Sequence, residues 1–273
     1  LSDDQLTEEF CAGVVPNDRT KRDRTQIFRC LRNALDQVQI LFDDNTFGVH
    51  GLPSDTNFGD FDTDNDGMID SITFIHSGAD RARNILDPER VWSHKWEMDD
   101  EWIGYSSNNA EVRVGPYAIT SSRARPPAGN NVPAPDAPAL GALAYVIAAL
   151  LGAEDLFDAD GNGSGLGIYD VMADPYGVAN DLVLPPLMSA YTKMKFGWIN
   201  PTIIAGADPK RVVNQLRAAC DFPDALKITA NYPDGEYLLV ENRQSCGSDA
   251  ALPALPNQPA GGIAIYHVDE GRR

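Results

Sequence analysis

The tightest constraint in this sequence is a run of aspartates, DFDTDNDGMIDS over residues 60–71, set directly before an apolar stretch, Ile72–Ile75. Asp62, Asp64, Asp66, Gly67 and Asp70 spell D-x-D-x-D-G-x-x-D. Carboxylates this close repel one another unless a cation draws them together, and calcium takes roughly six to eight hard oxygen ligands. Glycine at the sixth position permits the sharp turn, and the Met68 carbonyl would add a backbone ligand. A full EF-hand would carry glutamate at the twelfth position; Thr73 stands there, so Asp70 has to close the shell. The expectation is a structural calcium site of Asp62, Asp64, Asp66, Met68 and Asp70, tying a loop to a core strand; a solvated acidic turn is the competing reading. A weaker site of the same kind is expected at Asp158, Asp160 and Asn162, where Asn162-Gly163-Ser164 is also a glycosylation sequon.

Periodicity places the other elements. Ile27, Phe28, Leu31, Leu35 and Val38 fall near helical spacing between charges, which predicts an amphipathic helix over 20–42. Residues 138–151 are apolar all round and end at Gly152, which predicts a helix buried in the core. That run is broken by glycine and too short for a membrane span. Residues 184–198 predict another helix, with proline near its start. Ile72–Ile75, Tyr237–Asn242 and Gly262–Val268 read as strands. Residues 105–137, rich in Ser, Asn, Pro and Gly, read as a surface insertion with a short strand at Val112–Ile119. The style changes after Pro201. The expected division is therefore 1–200, carrying the acidic loop, and 201–273, a smaller helical and β part.

The chain has 273 residues and a net charge of −18, which makes nucleic acid a poor partner. Its four cysteines, Cys11, Cys30, Cys220 and Cys246, form no CxxC pair, which argues against a zinc ribbon or a thioredoxin motif. Two lie near each end, so Cys11–Cys30 and Cys220–Cys246 are favoured among three connectivities. Disulfides imply an oxidising, extracellular setting, secreted or on a cell surface. The chain begins at Leu1, which fits a mature or trimmed form.

Several segments, in order, resemble the immune inhibitor A family of secreted zinc metallopeptidases. They are DFDTDNDGMIDSITFIHSG, VWSHKW (91–96), LLGAEDLFDADGNGSGLGIYDVMADPYG (150–177), PPLMSAYTKMKFGWINP (185–201), EYLLVENRQ (236–244) and GIAIYHVDE (262–270). The resemblance spans about three quarters of the chain. It implies an α/β, zincin-like catalytic-domain fold with a small β-rich C-terminal part, and further β-rich sequence beyond the last residue given.

The same resemblance exposes a loss. The family's zinc motif is HExxHxxGxxD. Anchored on Gly152, its histidines fall on Tyr145 and Ala149, its glutamate on Val146 and its third ligand on Asp155. Two imidazoles four residues apart grip one zinc from one helix face, and the glutamate activates the bound water. No histidine lies between His94 and His267, so no shift of register restores the pair. Losing the general base alone costs a rate factor of roughly 10²–10⁴. Zinc is not expected, and Asp155 is expected to cap the helix end or hold the following loop. Met172 of the family's methionine turn is expected in plain core, and His76, His94 and His267 in structural roles. The sequence therefore points to a catalytically inactive, calcium-stabilised homologue. Its former cleft would bind a protein or peptide, or the domain would serve as a structural surface module. The alternatives are an active metallopeptidase with atypical ligands, and a different hydrolase built around Tyr145, Asp155 and distant histidines.

Overall fold

The computed structural model describes residues 11–12, 14–15, 18–22, 24–44, 53, 55–81, 90–123, 139–158, 163, 165–176, 184–206, 215–252 and 261–271. Helices and mixed sheets make an α/β protein. The chain forms two compact units, Leu1–Leu150 and Leu151–Arg273, divided ahead of the change in sequence style near residue 200.

Among the described residues the first unit contains a small hairpin, β1 (Val14–Val15) and β2 (Asp18–Arg22), and the helix α1 (Arg24–Asp43), so residues 20–22 of the expected helix are strand instead. Its sheet contains β3 (Thr73–Ala79), β4 (His94–Tyr105) and β5 (Glu111–Arg123), in the order β3-β5-β4. β3 runs parallel to β5 and β4 antiparallel to it. Asn109 sits in the left-handed region (φ 61°) at the turn between β4 and β5, as a short polar side chain tolerates. Within the expected surface insertion, residues 111–123 instead form the central strand, longer than the short strand expected at Val112–Ile119; residues 124–137 lie outside the described residues. The strand's inward Val112, Val114, Tyr117 and Ile119 are interrupted by Gly115-Pro116, which hides a strand pattern from the sequence.

Phe28, Leu31 and Leu35 of α1 pack into this core with Tyr117 and Trp102. The Trp102 indole Nε1 donates to Asp36 on the helix at 2.8 Å. Ala118 and Thr120, whose side chains alternate with those of Tyr117 and Ile119, are equally buried. The apolar helix α2 (Leu140–Leu150) packs on β5 and buries Ala142, Val146 and Ala149. It is not buried all round, since Leu140 and Ile147 are exposed. The inward stripe at i, i+4 and i+7 is made mostly of small alanines, which lets the helix approach the strand closely. Gly152, at φ 95°, follows the helix end as expected.

The second unit holds α3 (Ala190–Lys195) and a sheet of β6 (Thr202–Ile204), β7 (Leu226–Ile228), β8 (Glu236–Gln244) and β9 (Gly261–Asp269), in that order. Within 184–198 the helix is only Ala190–Lys195. Ser189 caps its start and Gly197, in the left-handed region, ends it. Both expected strands are present as β8 and β9.

Alternate residues of β8 point inward: Tyr237, Leu239, Glu241 and Arg243. The two charges there are fully partnered. Arg243 forks onto Asp249, with Nη2 to Oδ1 at 2.7 Å, and donates to the Tyr169 and Leu187 carbonyls at 2.8 and 2.9 Å. Glu241 accepts from Arg243 Nη1, Lys193 Nζ, the Tyr266 hydroxyl and the Ala190 N–H. Burial works against the Arg243 charge, but Asp249 and Glu241 outweigh it and hold the guanidinium above its ordinary value. Removing one member of such a network strands the others. Arg243→Ala should therefore lower the unfolding free energy by about 3–5 kcal/mol, read by urea unfolding, with hydrogen exchange accelerated across 236–252.

Candidate metal centre

The acidic loop is fastened at both ends. On its N-terminal side, Asn57 caps a 3₁₀ turn, Phe58–Phe61, with its side chain accepting from Gly59 N–H and its N–H donating to Asp60. This turn inserts Phe58 between Phe42 and Trp102, at ring-centroid distances of 4.9 and 4.8 Å. On the C-terminal side Ile69 is buried. Arg113 N–H donates to the Gly67 carbonyl and Ile69 N–H to the Arg113 carbonyl, both at 2.9 Å. Met68 thus pairs with Arg113 in the same register in which Thr73 pairs with Ala118.

Between these anchors the chain turns through Asn65 (φ 61°) and Gly67 (φ 85°). Carboxylate oxygens of Asp62, Asp64 and Asp70 lie within 4.8 Å of one another. Ligands about 2.4 Å from one calcium ion span about that distance across it, so the three donors fit a hard divalent cation. Asp62 also accepts from the N–H groups of Asp66 and Gly67, at 3.1 and 3.0 Å. The Thr63 hydroxyl donates to Asp70. Asp66 stands outside the convergent three and accepts from Met68 N–H at 2.8 Å.

Of the weaker second loop, Asp158 accepts from Gly163 N–H; Asp160 and Asn162 lie outside the described residues. Both favoured disulfides, Cys11–Cys30 and Cys220–Cys246, are formed. Among the described residues no helix is long and apolar enough to cross a membrane.

The zinc-motif positions are built from aliphatic and phenolic groups. Val146 is fully buried, Ala149 is buried, and Tyr145 beside them is half-buried. All three belong to the first unit. Asp155 is an exposed residue of the second unit, lining a groove with Glu154, Tyr191 and His267. Met172 is fully buried, and its carbonyl accepts from Leu156 N–H.

Two polar clusters have little signature in the sequence. One is the Arg243 network, whose only local signal is charge at inward positions of an alternating strand. The other is a buried trio in which Ser93 donates to Asp80 and lies 3.0 Å from Thr120 Oγ1. Nearby, His94 Nδ1 is 2.6 Å from the Trp92 carbonyl and its Nε2 is 2.9 Å from the Tyr117 hydroxyl. A carbonyl only accepts, so Nδ1 carries the proton and the neutral ring accepts the phenol's hydrogen at Nε2. Burial pushes the His94 imidazole below its ordinary range, against the pull of the Trp92 carbonyl and Asp80. Burial lowers His76 as well, with Asp80 opposing and Arg90 adding.

No protein-family model matches the chain, and no curated protein matches it.

Both histidines bind protons more readily unfolded than folded. Their contribution to stability is full above the unfolded value of 6.5 and is lost as pH falls through the lower folded values. The melting temperature should therefore drop as pH is lowered below about 6.5, and His94→Gln should flatten that slope.

Proposed function

We propose that this chain is a catalytically inactive, secreted homologue of the zinc metallopeptidases it resembles, with a zincin-like fold stabilised by calcium. The observation that carries this reading is the identity of the three motif positions. Tyr145, Val146 and Ala149 offer neither an imidazole pair nor a carboxylate base. The burial of Val146 and Ala149 against β5 supports it, because side chains that pack a core have no role in holding exchangeable zinc and water. Asp155 alone is a single donor, and zinc affinity comes from three or four ligands acting together.

Calcium is assigned to Asp62, Asp64 and Asp70, with the Met68 carbonyl as a backbone ligand, while Asp66 holds the turn by accepting from Met68 N–H. Its role is structural: it neutralises converging carboxylates on a loop pinned by Phe58 and Ile69. The two disulfides support an extracellular setting. The retained fold would then serve as a protein- or peptide-binding module, or as a structural one on a cell surface.

Elemental analysis of the purified protein should find calcium and no stoichiometric zinc. A quenched-peptide assay should show no chelator-sensitive hydrolysis; robust hydrolysis that EDTA abolishes would sink the reading.

Calcium at about a hundred times its dissociation constant should add about 2.7 kcal/mol of stability. The double substitution Asp62→Ala, Asp64→Ala should lower the melting temperature and remove its dependence on calcium. A melting curve unmoved by chelator in the unaltered protein would mean a solvated turn.

A further inference from the structure

Among the described residues β9 is the outermost strand of its sheet, paired with β8 alone. Two contacts fix which of its backbone groups are spare. Glu270 N–H donates to the Gly235 carbonyl at 3.0 Å, one residue beyond the β8–β9 register and in phase with it. On the opposite side of β8, the Asn242 carbonyl accepts from Ala219 N–H at 2.8 Å. Along an antiparallel strand, successive residues turn their N–H and C=O groups to opposite sides. Both contacts therefore give one answer: Gly262, Ala264, Tyr266 and Val268 bond to β8. The N–H and C=O groups of Gly261, Ile263, Ile265 and His267 face away from β8, at the open edge.

This edge lacks the features that block strand pairing. Residues 261–268 include no lysine and no proline, and their register with β8 has no bulge. The opposite edge strand, β6, is only three residues long and follows Pro201. Ile263 and Ile265 are 57% and 63% exposed, whereas Val240 and Leu226, on the same sheet face, are buried and half-buried. Exposed apolar surface on that face is thus concentrated at β9, which favours pairing at the edge over packing on the face. Residues 250–268 are also the longest run in the chain without Asp, Glu, Lys or Arg, nineteen residues where 23% of the whole is charged. A second molecule carrying the same charge of −18 meets least repulsion where the surface is locally neutral.

We propose that β9 pairs with β9 of a second copy of this chain, antiparallel about a two-fold axis, joining the two sheets into one. The side chains select the register. With Ala264 opposite Ala264 of the second copy, each Ile263 meets the other copy's Ile265. The isoleucines are residues whose backbone groups face the edge, so each such pair exchanges two N–H···O bonds. Pairs of the other kind bring side chains closest together. There the register sets alanine against alanine and Tyr266 against Gly262, so no two large side chains compete. An isologous contact of this kind closes at two copies. It buries little more than one strand edge on each, so the dimer is weak and forms only at high concentration. The edge lies wholly within the second unit, so the proposal stands whether or not the chain is an inactive peptidase.

The test uses the full chain at a fixed calcium level. Sedimentation equilibrium should show a monomer–dimer equilibrium with a dissociation constant on the order of 10⁻⁵ to 10⁻⁴ M. Raising salt from about 0.02 to about 0.5 M should tighten it, because screening weakens the repulsion between like-charged copies. Ile265→Lys places a charge opposite Ile263 of the second copy and should weaken the dimer about tenfold or more. Residue-resolved hydrogen exchange needs no altered protein, so a misfolded variant does not blur the outcome. On concentrating the unaltered chain, the amides of Ile263, Ile265 and His267 should slow, while those of Ala264 and Tyr266, already bonded to β8, should not change. A chain still monomeric at about ten times the upper constant, dimerisation loosened by salt, an Ile265→Lys variant that pairs as tightly as the parent, or exchange without that alternation would overturn the proposal.

Discussion

The backbone of β5 is the reference to which the first unit is registered. β3 takes one of its edges and β4 the other, and the residues around Tyr117–Ser121 are buried on both faces. The acidic loop joins the same edge as β3, through Gly67 and Ile69 against Arg113. Because side chains alternate along a strand, a slip of one residue would turn Ile69 outward and an aspartate inward. Hydrogen bonding to one central strand therefore decides that the loop's apolar residue is buried and its carboxylates reach water. The α1 helix reinforces that choice from the other direction, since Phe42 and Trp102 receive Phe58 at the loop's start.

The second unit solves a different problem. Its core contains charges as well as apolar groups, and buried charges are tolerated only where every donor and acceptor is matched. Glu241 and Arg243 meet that condition through groups from several separate segments: Tyr169, Leu187, Ala190, Lys193, Asp249 and Tyr266. A network drawn from so many parts of the chain forms only when they have all arrived. Each unit also carries one disulfide, closing separations of 19 and 26 residues. Loops of that size correspond to about 3 kcal/mol each in the chain-entropy account.

Local signals proved the most legible. The period of Ile27, Phe28, Leu31 and Leu35 foretold α1; the alternation in EYLLVENRQ and GIAIYHV foretold β8 and β9; and the turn chemistry of Asn65 and Gly67 was implicit in DNDG. What the sequence hid was set by tertiary context. The full extent of β5 was obscured because Gly115-Pro116 interrupts its pattern, yet partners on both sides hold it extended. The helix near 190 is short because Asp170 accepts from Ser189 N–H and the Thr192 hydroxyl, fixing where the turn begins. Spacing named five candidate ligands in the acidic loop; geometry gathered Asp62, Asp64 and Asp70 and turned Asp66 onto the backbone of Met68.

The shared register of Met68 with Arg113 and Thr73 with Ala118 has an evolutionary corollary. Two fixed points on one ladder leave the intervening chain no spare length. Relatives of this protein should keep an invariant count between the glycine of the turn and the start of β3.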